Sequence, residues 1–190
     1  MGLDTVELAN SFERYFGLEL PDPVVEQIAT VGDVATWFGQ QLGVAGQRQS
    51  AVRAAVAAQL QTVLPHPETT LLRQLLPDAP AVQALRLGLR QQHSLELPRL
   101  AASPAAGAPP SLWERLWGRP LFAPPAWPTQ TMAELIDWLV ATNYQKLLVP
   151  PLTSQYEVEQ AVIGITSESA SIPVEEIQLS SSFTSDLGMD

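Results

Sequence analysis

The sequence LELP at residues 18–21 returns as LELP at residues 95–98, an offset of 77 residues. A second pair, TVGDVATWF at residues 30–38 and TMAELIDWL at residues 131–139, is offset by 101 residues and aligns tryptophan with tryptophan. Because the offset grows by 24 residues between the two pairs, the second copy carries an insertion, at about residues 102–127. The sequence therefore predicts two internal copies of one unit.

Apolar residues recur at helical spacing in each part of the chain. Leu8, Phe12 and Phe16 mark a helix that Gly17 ends. The segment TVGD at residues 30–33 has the capping-box pattern that begins another helix. Similar patterns predict helices around residues 52–60, from 78 to about 93, and at 158–165, where the helix is expected to be amphipathic. These patterns predict an all-α protein.

Composition excludes several classes of function. The 190 residues include 20 acidic and 10 basic side chains, which gives a net charge of −10, and no cysteine. A polyanion is a poor ligand for nucleic acid or anionic lipid, and without cysteine there is no disulfide, thiolate metal site or thiol nucleophile. The sequence has neither a basic-then-apolar leader nor an apolar run near the ~20 residues of a membrane span. We therefore expect a cytoplasmic protein.

The charge also divides the chain into three parts. Residues 1–45 carry a net charge of −6, residues 46–151 a net charge of +3, and residues 152–190 a net charge of −7. Two acidic ends thus flank a mildly basic middle, which favours a discontinuous organisation in which the ends belong together.

The two ends carry the halves of one known motif. DLGMD at residues 186–190 and LDTVEL at residues 3–8 resemble the halves of the motif DLGxDSLDxVEL of acyl carrier proteins. The similarity runs without gaps through residues 3–42 and 158–190 and includes FGLELP and TVGD. Acyl carrier proteins are small four-helix bundles, in which a serine at the start of helix II carries 4′-phosphopantetheine. The thiol of this group holds the growing acyl chain as a thioester.

The resemblance implies an all-α fold of two acyl-carrier-like four-helix bundles. One is discontinuous and combines residues 1–45 with residues 152–190; we call it the split unit. The other is the continuous stretch of residues 46–151, which contains the insertion rich in proline and tryptophan; we call it the middle unit.

Neither unit has the attachment serine. In the split unit, Asp190 stands directly before its position and Leu3 directly after it, so that Met1 and Gly2 occupy its place. In the middle unit the aligned residue is Ala79, which has no hydroxyl group to form a phosphodiester. The resemblance implies 4′-phosphopantetheine as the cofactor, but this sequence offers no serine for it.

Three arrangements account for the interrupted motif. The chain is a fragment of a longer tandem array, with serine as the next encoded residue, or a circular permutation in which the ends pair with each other. In the third arrangement the halves complete one another between two chains. The sequence leaves all three open.

The resemblance also implies the partners. Asp4, Glu7 and Glu13 lie on the helix that resembles the recognition helix, where acidic side chains bind basic patches on synthases and transferases. Arg14 and Tyr15 depart from the acids that the family usually has there. We expect a carrier for fatty-acid or polyketide-type synthesis, or alternatively a non-carrier docking module that keeps the bundle and its acidic face.

No other motif predicts chemistry. The sequence has no Ser-His-Asp constellation, phosphate loop or paired catalytic carboxylates, so we expect no enzyme. His66 and His93 are isolated, which argues against a metal site. Trp113 and Trp117 either anchor the protein to a partner or a membrane surface, or cover an apolar surface of the middle unit. The serines at 181 and 182 are expected to cap or turn the loop before Phe183.

Overall fold

The computed structural model describes residues 5–98 and 129–189, and within these ranges it is all-α, as the sequence predicted. Nine α-helices and one 3₁₀ helix follow one another along the described chain, and no strand occurs there. The helices are α1 (Thr5–Phe16), α2 (Asp22–Val25), α3 (Val31–Gln41), α4 (Ala51–Val63), α5 (Leu72–Leu75), α6 (Ala79–His93), α7 (Met132–Thr142), α8 (Tyr144–Leu147), α9 (Gln155–Ala170) and the 3₁₀ helix Val174–Glu176. None of the described helices is long and apolar enough to cross a membrane.

The predicted capping box at the start of α3 is confirmed. The Thr30 hydroxyl accepts a hydrogen bond from the Asp33 amide at 3.2 Å, and the Asp33 carboxylate accepts one from the Thr30 amide at 2.8 Å. Hydrogen bonding to Thr30 lowers the pKa of Asp33 below its ordinary value. Helix α7 begins with the same device, built from Thr131 and Glu134. Two helices 101 residues apart in sequence therefore start in the same way.

Helix α9 is covered on every side. It packs against α1 and α3, and also against α7 and α8, and every residue from Gln155 to Thr166 is buried. The sequence predicted an amphipathic helix here, and the structure differs because the polar side chains of α9 have partners. Glu157 accepts a hydrogen bond from Ser50 at 2.7 Å, and Glu159 pairs with Arg48 at 2.7 Å. These pairs allow the two carboxylates to be buried without being left unpaired.

A glycine allows α9 to lie close to α7. A Cβ atom added at Gly164 would lie 2.5 Å from the carbonyl oxygen of Ala141 and would also overlap the ring of Tyr144. A backbone carbonyl cannot rotate away as a flexible side chain can, so the close approach of these helices requires glycine at this position.

The segment after α9 joins the start of α3 through the backbone. Thr30 and Ser182 form an isolated antiparallel bridge, and three hydrogen bonds tie residues 29–32 to residues 179–183. The three bonds run from Val31 to Ser181 at 3.1 Å, from Gly32 to Leu179 at 2.7 Å and from Phe183 to Ala29 at 3.2 Å. The start of α3 and the end of the chain are therefore held side by side.

The same set of bonds recurs at the start of α7. Leu71 and Thr131 form an isolated antiparallel bridge, and again three backbone hydrogen bonds surround it. They run from Met132 to Thr70 at 2.9 Å, from Ala133 to Glu68 at 3.0 Å and from Leu72 to Gln130 at 2.8 Å. Each donor and acceptor matches one of the first set at a constant offset, 101 residues on the helix side and 111 residues on the loop side.

Candidate functional site

Helices α1, α2 and α3 and the segment after α9 surround an apolar cavity of about 320 Å³. The helical spacing of Leu8 and Phe12 turns both side chains of α1 toward it, and Phe183 enters from the C-terminal segment. Nearly all of the lining side chains are apolar: Leu8, Ala9, Phe12, Leu20, Val25, Ile28, Ala29, Val34, Phe183 and Thr184. A cavity of this size and polarity suits an apolar chain rather than a charged ligand.

Aromatic rings form the core beside this cavity. The ring of Phe38 is stacked on Phe16 with centroids 4.2 Å apart and lies 6.3 Å from Phe12. From the C-terminal segment, Phe183 and Met189 are both buried, and the Met189 amide donates to the Phe183 carbonyl at 2.9 Å. The C-terminal segment thus contributes apolar side chains to the core that contains α1 and α3.

The acidic residues predicted to bind partners have different surroundings. Glu7 is exposed on α1, whereas Glu13 is half-buried and accepts a hydrogen bond from the Leu20 amide at 2.6 Å. Glu13 therefore holds the LELP segment against α1, which leaves less of its charge for a partner. Asp22 and Glu26, at the two ends of α2, are exposed and add acidity beside the cavity that α1 and α2 line. No sequence motif assigned a binding role to these two residues, although Pro21 marks the start of α2 directly before Asp22.

Asp4, Gly2, Leu3 and Asp190 lie outside the described residues. Trp113, Trp117 and the insertion at residues 102–127 also lie outside them. The predictions for these residues stay predictions.

The departure at Tyr15 has a structural reason. Its hydroxyl donates a hydrogen bond to the Leu148 carbonyl, and its ring packs edge-on against Tyr144 with centroids 5.4 Å apart. Burial, with the nearby Tyr144 as a second cause, raises the pKa of the Tyr15 hydroxyl above its ordinary value. Where the family usually has an acid for a partner, this chain has an aromatic residue that joins α1 to the end of α8.

Ala79, the degenerate attachment position, is the first residue of α6 and is exposed. Asp78 caps the helix by accepting a hydrogen bond from the Ala81 amide at 2.9 Å. The surface there is open, but the methyl group of Ala79 supplies no hydroxyl. Ala79 therefore cannot form the covalent bond that attaches 4′-phosphopantetheine.

A polar network lies among α4, α7 and α9, away from the apolar cavity. Arg53 binds Asp137 at 3.0 Å and Glu68 at 2.9 Å, and the Tyr156 hydroxyl donates to Asp137 at 2.8 Å. Burial raises the pKa of Asp137, despite the opposing effects of Tyr156 and Arg53. The four side chains satisfy one another, so the network holds helices together and leaves no group free to act on a ligand.

A larger cleft of about 640 Å³ opens beside α8 and the end of α9. Two of its charged side chains are engaged within the chain: Lys146 donates to the Ser94 carbonyl at 2.8 Å, and Glu168 accepts from Tyr144 at 2.5 Å. Size alone does not make it the better candidate, because the side chains of Lys146, Glu168 and Asn143 in its lining are bonded within the chain.

The serines before Phe183 shape the loop, as expected. The Ser181 hydroxyl accepts from the Gln178 amide at 3.0 Å, and the Ser182 hydroxyl accepts from the Ser185 amide at 3.3 Å. The half-buried His93 lies 2.9 Å from the Thr62 hydroxyl, while His66 is exposed. Among the described residues, no group of three or more His, Asp or Glu side chains could hold a metal ion.

Comparison with known proteins agrees with the motif. A stretch of 41 residues, 22% of this chain, is 46% identical to the acyl carrier protein of Phenylobacterium zucineum (strain HLK1) and covers 52% of that protein. The chain therefore spans about half the length of the curated relative it matches. No family model matches the chain, and no solved structure matches it. The chain contains a region similar to acyl carrier proteins.

Proposed function

We propose that this chain is an acyl-carrier-like protein in which the split unit is assembled from the two ends of the chain and the middle unit is a degenerate second copy. The observation that carries the proposal is the repeated set of three backbone hydrogen bonds, which joins residues 179–183 to the start of α3 and residues 68–72 to the start of α7. The repeated capping boxes of Thr30 and Thr131 support it. In each proposed unit a long helix (α9 or α4) is followed by a loop, a second helix (α1 or α6) and a last capped helix (α3 or α7).

The apolar cavity gives the split unit its function in this proposal. Burying an apolar chain among side chains such as Leu8, Phe12 and Phe183 is favourable by about 25 cal/mol for each Å² removed from water. The substrate class is an acyl chain of fatty-acid or polyketide-type synthesis. The exposed Glu7, with Glu13 on the same helix and Asp4 just before it in the sequence, would bind basic patches on the synthases and transferases that act on the chain. The protein itself would have no catalytic role.

The cofactor is the point at which this chain departs from the family. By resemblance, 4′-phosphopantetheine supplies a thiol that holds the acyl group as a thioester. Ala79 does not fit that group, and the proposal for this chain rests on the fold and the cavity.

Loading of an engineered serine tests the proposal at the middle unit. The double variant A79S/P80L restores the serine and the leucine of the motif at the start of α6. After incubation with coenzyme A and a promiscuous phosphopantetheinyl transferase, intact mass should show one adduct on this variant and none on the original chain. Ala81→Ser, two residues further along α6, is the control and should stay unmodified. An adduct on the original chain, or none on the double variant, would contradict the proposal.

Ligand binding tests the cavity. A fluorescent fatty-acid analogue should bind the original chain, and Ala9→Trp should abolish binding because the indole fills the space between α1 and α2. Asn10→Trp is the matched control, since Asn10 is exposed on the same helix and does not line the cavity. Equal binding by both variants would remove the cavity from the proposal.

The second candidate is a docking module that carries no acyl chain. The exposed methyl group of Ala79 at the attachment position favours it. In that case the engineered serine stays unmodified and the fatty-acid analogue does not bind. Salt-dependent binding to basic enzymes of acyl metabolism would persist and would depend on Glu7.

A further inference from the structure

The outward side of α6 has the opposite charge from the corresponding side of α1. Leu85 and Leu89 are buried, and the face turned away from them carries Arg86, Leu87 and Arg90, which we call the basic face. At the offset of 77 residues that aligns the LELP segments, Arg90 stands where α1 has Glu13. The acids expected to bind basic enzymes on one helix are thus replaced by arginine or alanine on the other.

The arginines of the basic face form no ion pair among the described residues. Leu87 is 55% exposed and Arg90 is exposed. Arg86 makes one long hydrogen bond, to the Gln83 side chain at 3.4 Å. An exposed leucine between two unpaired arginines resembles the centre and rim of a small protein interface.

The complementary surface lies on the same chain. Val6 is 61% exposed and Val25 is 37% exposed; the exposed Glu7 follows Val6 on α1, and the exposed Asp22 and Glu26 flank Val25 at α2. We call these five residues the acidic face. Val25 lines the apolar cavity together with Leu8 and Phe12 of α1, so α1 and α2 border the same part of the molecule. Three of the four exposed large hydrophobic residues in the described chain lie on the two faces. Each face therefore has an apolar centre with charges of one sign, and the signs are opposite.

We propose that the basic face of one chain docks on the acidic face of a second copy of the same chain. The inference goes beyond the carrier proposal and needs neither a prosthetic group nor an acyl chain. Such an interface joins different faces, so the copies form a closed ring where the rotation between them closes and an open chain where it does not. Its charges are exposed, so the contact is weak and reversible and becomes weaker as salt screens it beyond about 10 Å at 0.1 M.

Sedimentation velocity of the full chain over a range of concentrations tests the proposal. At low salt the average mass should rise with concentration, and at high salt it should fall toward the monomer. Reversal of the basic face in R86E/R90E should weaken self-association about tenfold or more, and so should reversal of the acidic face in E7R/E26R. When the two variants are mixed, the intact acidic face of R86E/R90E can bind the intact basic face of E7R/E26R. The two reversed faces also have opposite charges, so association should return.

A matched single reversal separates this contact from an effect of net charge. Arg73→Glu changes the net charge by the same amount as Arg90→Glu, but Arg73 lies on α5 and outside the basic face. Only Arg90→Glu should weaken association. Circular dichroism and thermal melting should show that all variants keep the fold, since the changed side chains are exposed or half-buried. The neutral variant R86Q/R90Q gives a second measurement should the reversed one fail to fold.

A chain that stays monomeric at low salt, or that associates equally with and without the reversed faces, would overturn the proposal. A titration with a labelled, separate acyl carrier protein distinguishes the other occupant. If that protein binds a monomeric chain through Arg86 and Arg90, the basic face belongs to a different acidic partner and the second-copy proposal is wrong.

Discussion

Replacing Phe183 with alanine should weaken the attachment of the C-terminal segment to α1 and α3. The Phe183 ring is 8% exposed and lines the apolar cavity with Leu8, Phe12 and Val34. Phe→Ala changes in protein cores cost about 3–5 kcal/mol. We expect about 3 kcal/mol, the lower end of that range, because the ring already borders a cavity. That loss is a large fraction of the stability of a typical domain, which is about 5–15 kcal/mol.

Urea unfolding followed by circular dichroism measures this loss, as a lower midpoint with an unchanged slope. Leu72→Ala is the matched control, because the Leu72 amide makes the hydrogen bond at the start of α7 that corresponds to the one made by Phe183. Hydrogen exchange then separates the two variants. Phe183→Ala should speed exchange at the amides of Val31 and Gly32, and Leu72→Ala should not. A stability loss below about 0.5 kcal/mol, with unchanged exchange at both amides, would refute the reasoning.

Other positions give independent tests. Gly164→Ala should destabilise the fold by about 1–3 kcal/mol, because the new methyl group would meet the Ala141 carbonyl. Gly88→Ala should cost less, because its methyl group would overlap only the Cγ1 atom of the half-buried Val63 side chain; equal thermal melts would contradict this contrast. Thr30→Ala removes the cap of α3 and should cost about 1 kcal/mol in urea unfolding, and no change in midpoint would count against the cap. Burial and the nearby Glu168 raise the pKa of Tyr144 to about 12, above its unfolded value of about 10. The folded state therefore retains a proton that the unfolded state releases, and the stability present below pH of about 10 is lost as the pH rises through the folded pKa. Tyrosinate absorbance should accordingly appear together with alkaline unfolding, and a titration near pH 10 in the folded protein would contradict the burial.

Local signals in the sequence predicted much of the fold. The capping box at Thr30 depends on residues three apart, and the helix that ends at Gly17 depends on apolar residues at helical spacing. Gly17 has a positive φ of 67°, as the end of that helix requires. Such features are set by neighbours in the chain, which a sequence displays directly.

The burial of α9 could not be predicted in the same way. From the sequence alone, its carboxylates are expected to lie on a solvated face. In the structure they pair with Ser50 and Arg48, which are more than a hundred residues away in sequence. Likewise, the sequence predicts Glu13 as a docking residue, whereas in the structure its carboxylate accepts a hydrogen bond from the Leu20 amide. Tertiary contacts between distant segments decide these roles, and a helical pattern carries no information about them.

The central claim is that the C-terminal segment pairs with the N-terminal helices within one chain. The chain has no cysteine, so a pair introduced at Thr30 and Ser182 would be the only route to a disulfide. These residues are opposite each other in an antiparallel bridge flanked by the bonds at 29–183 and 31–181. Such non-hydrogen-bonded pairs have Cα atoms about 4.5 Å apart, within the range a disulfide spans.

Mild oxidation of T30C/S182C followed by a non-reducing gel and intact mass is the most direct measurement. Pairing of the two ends within one chain predicts rapid formation of one disulfide with the mass of a single chain. L71C/T131C, at the corresponding bridge, should give the same result. Failure of T30C/S182C to form a disulfide while L71C/T131C forms one, or a covalent dimer in its place, would contradict pairing of the two ends within one chain.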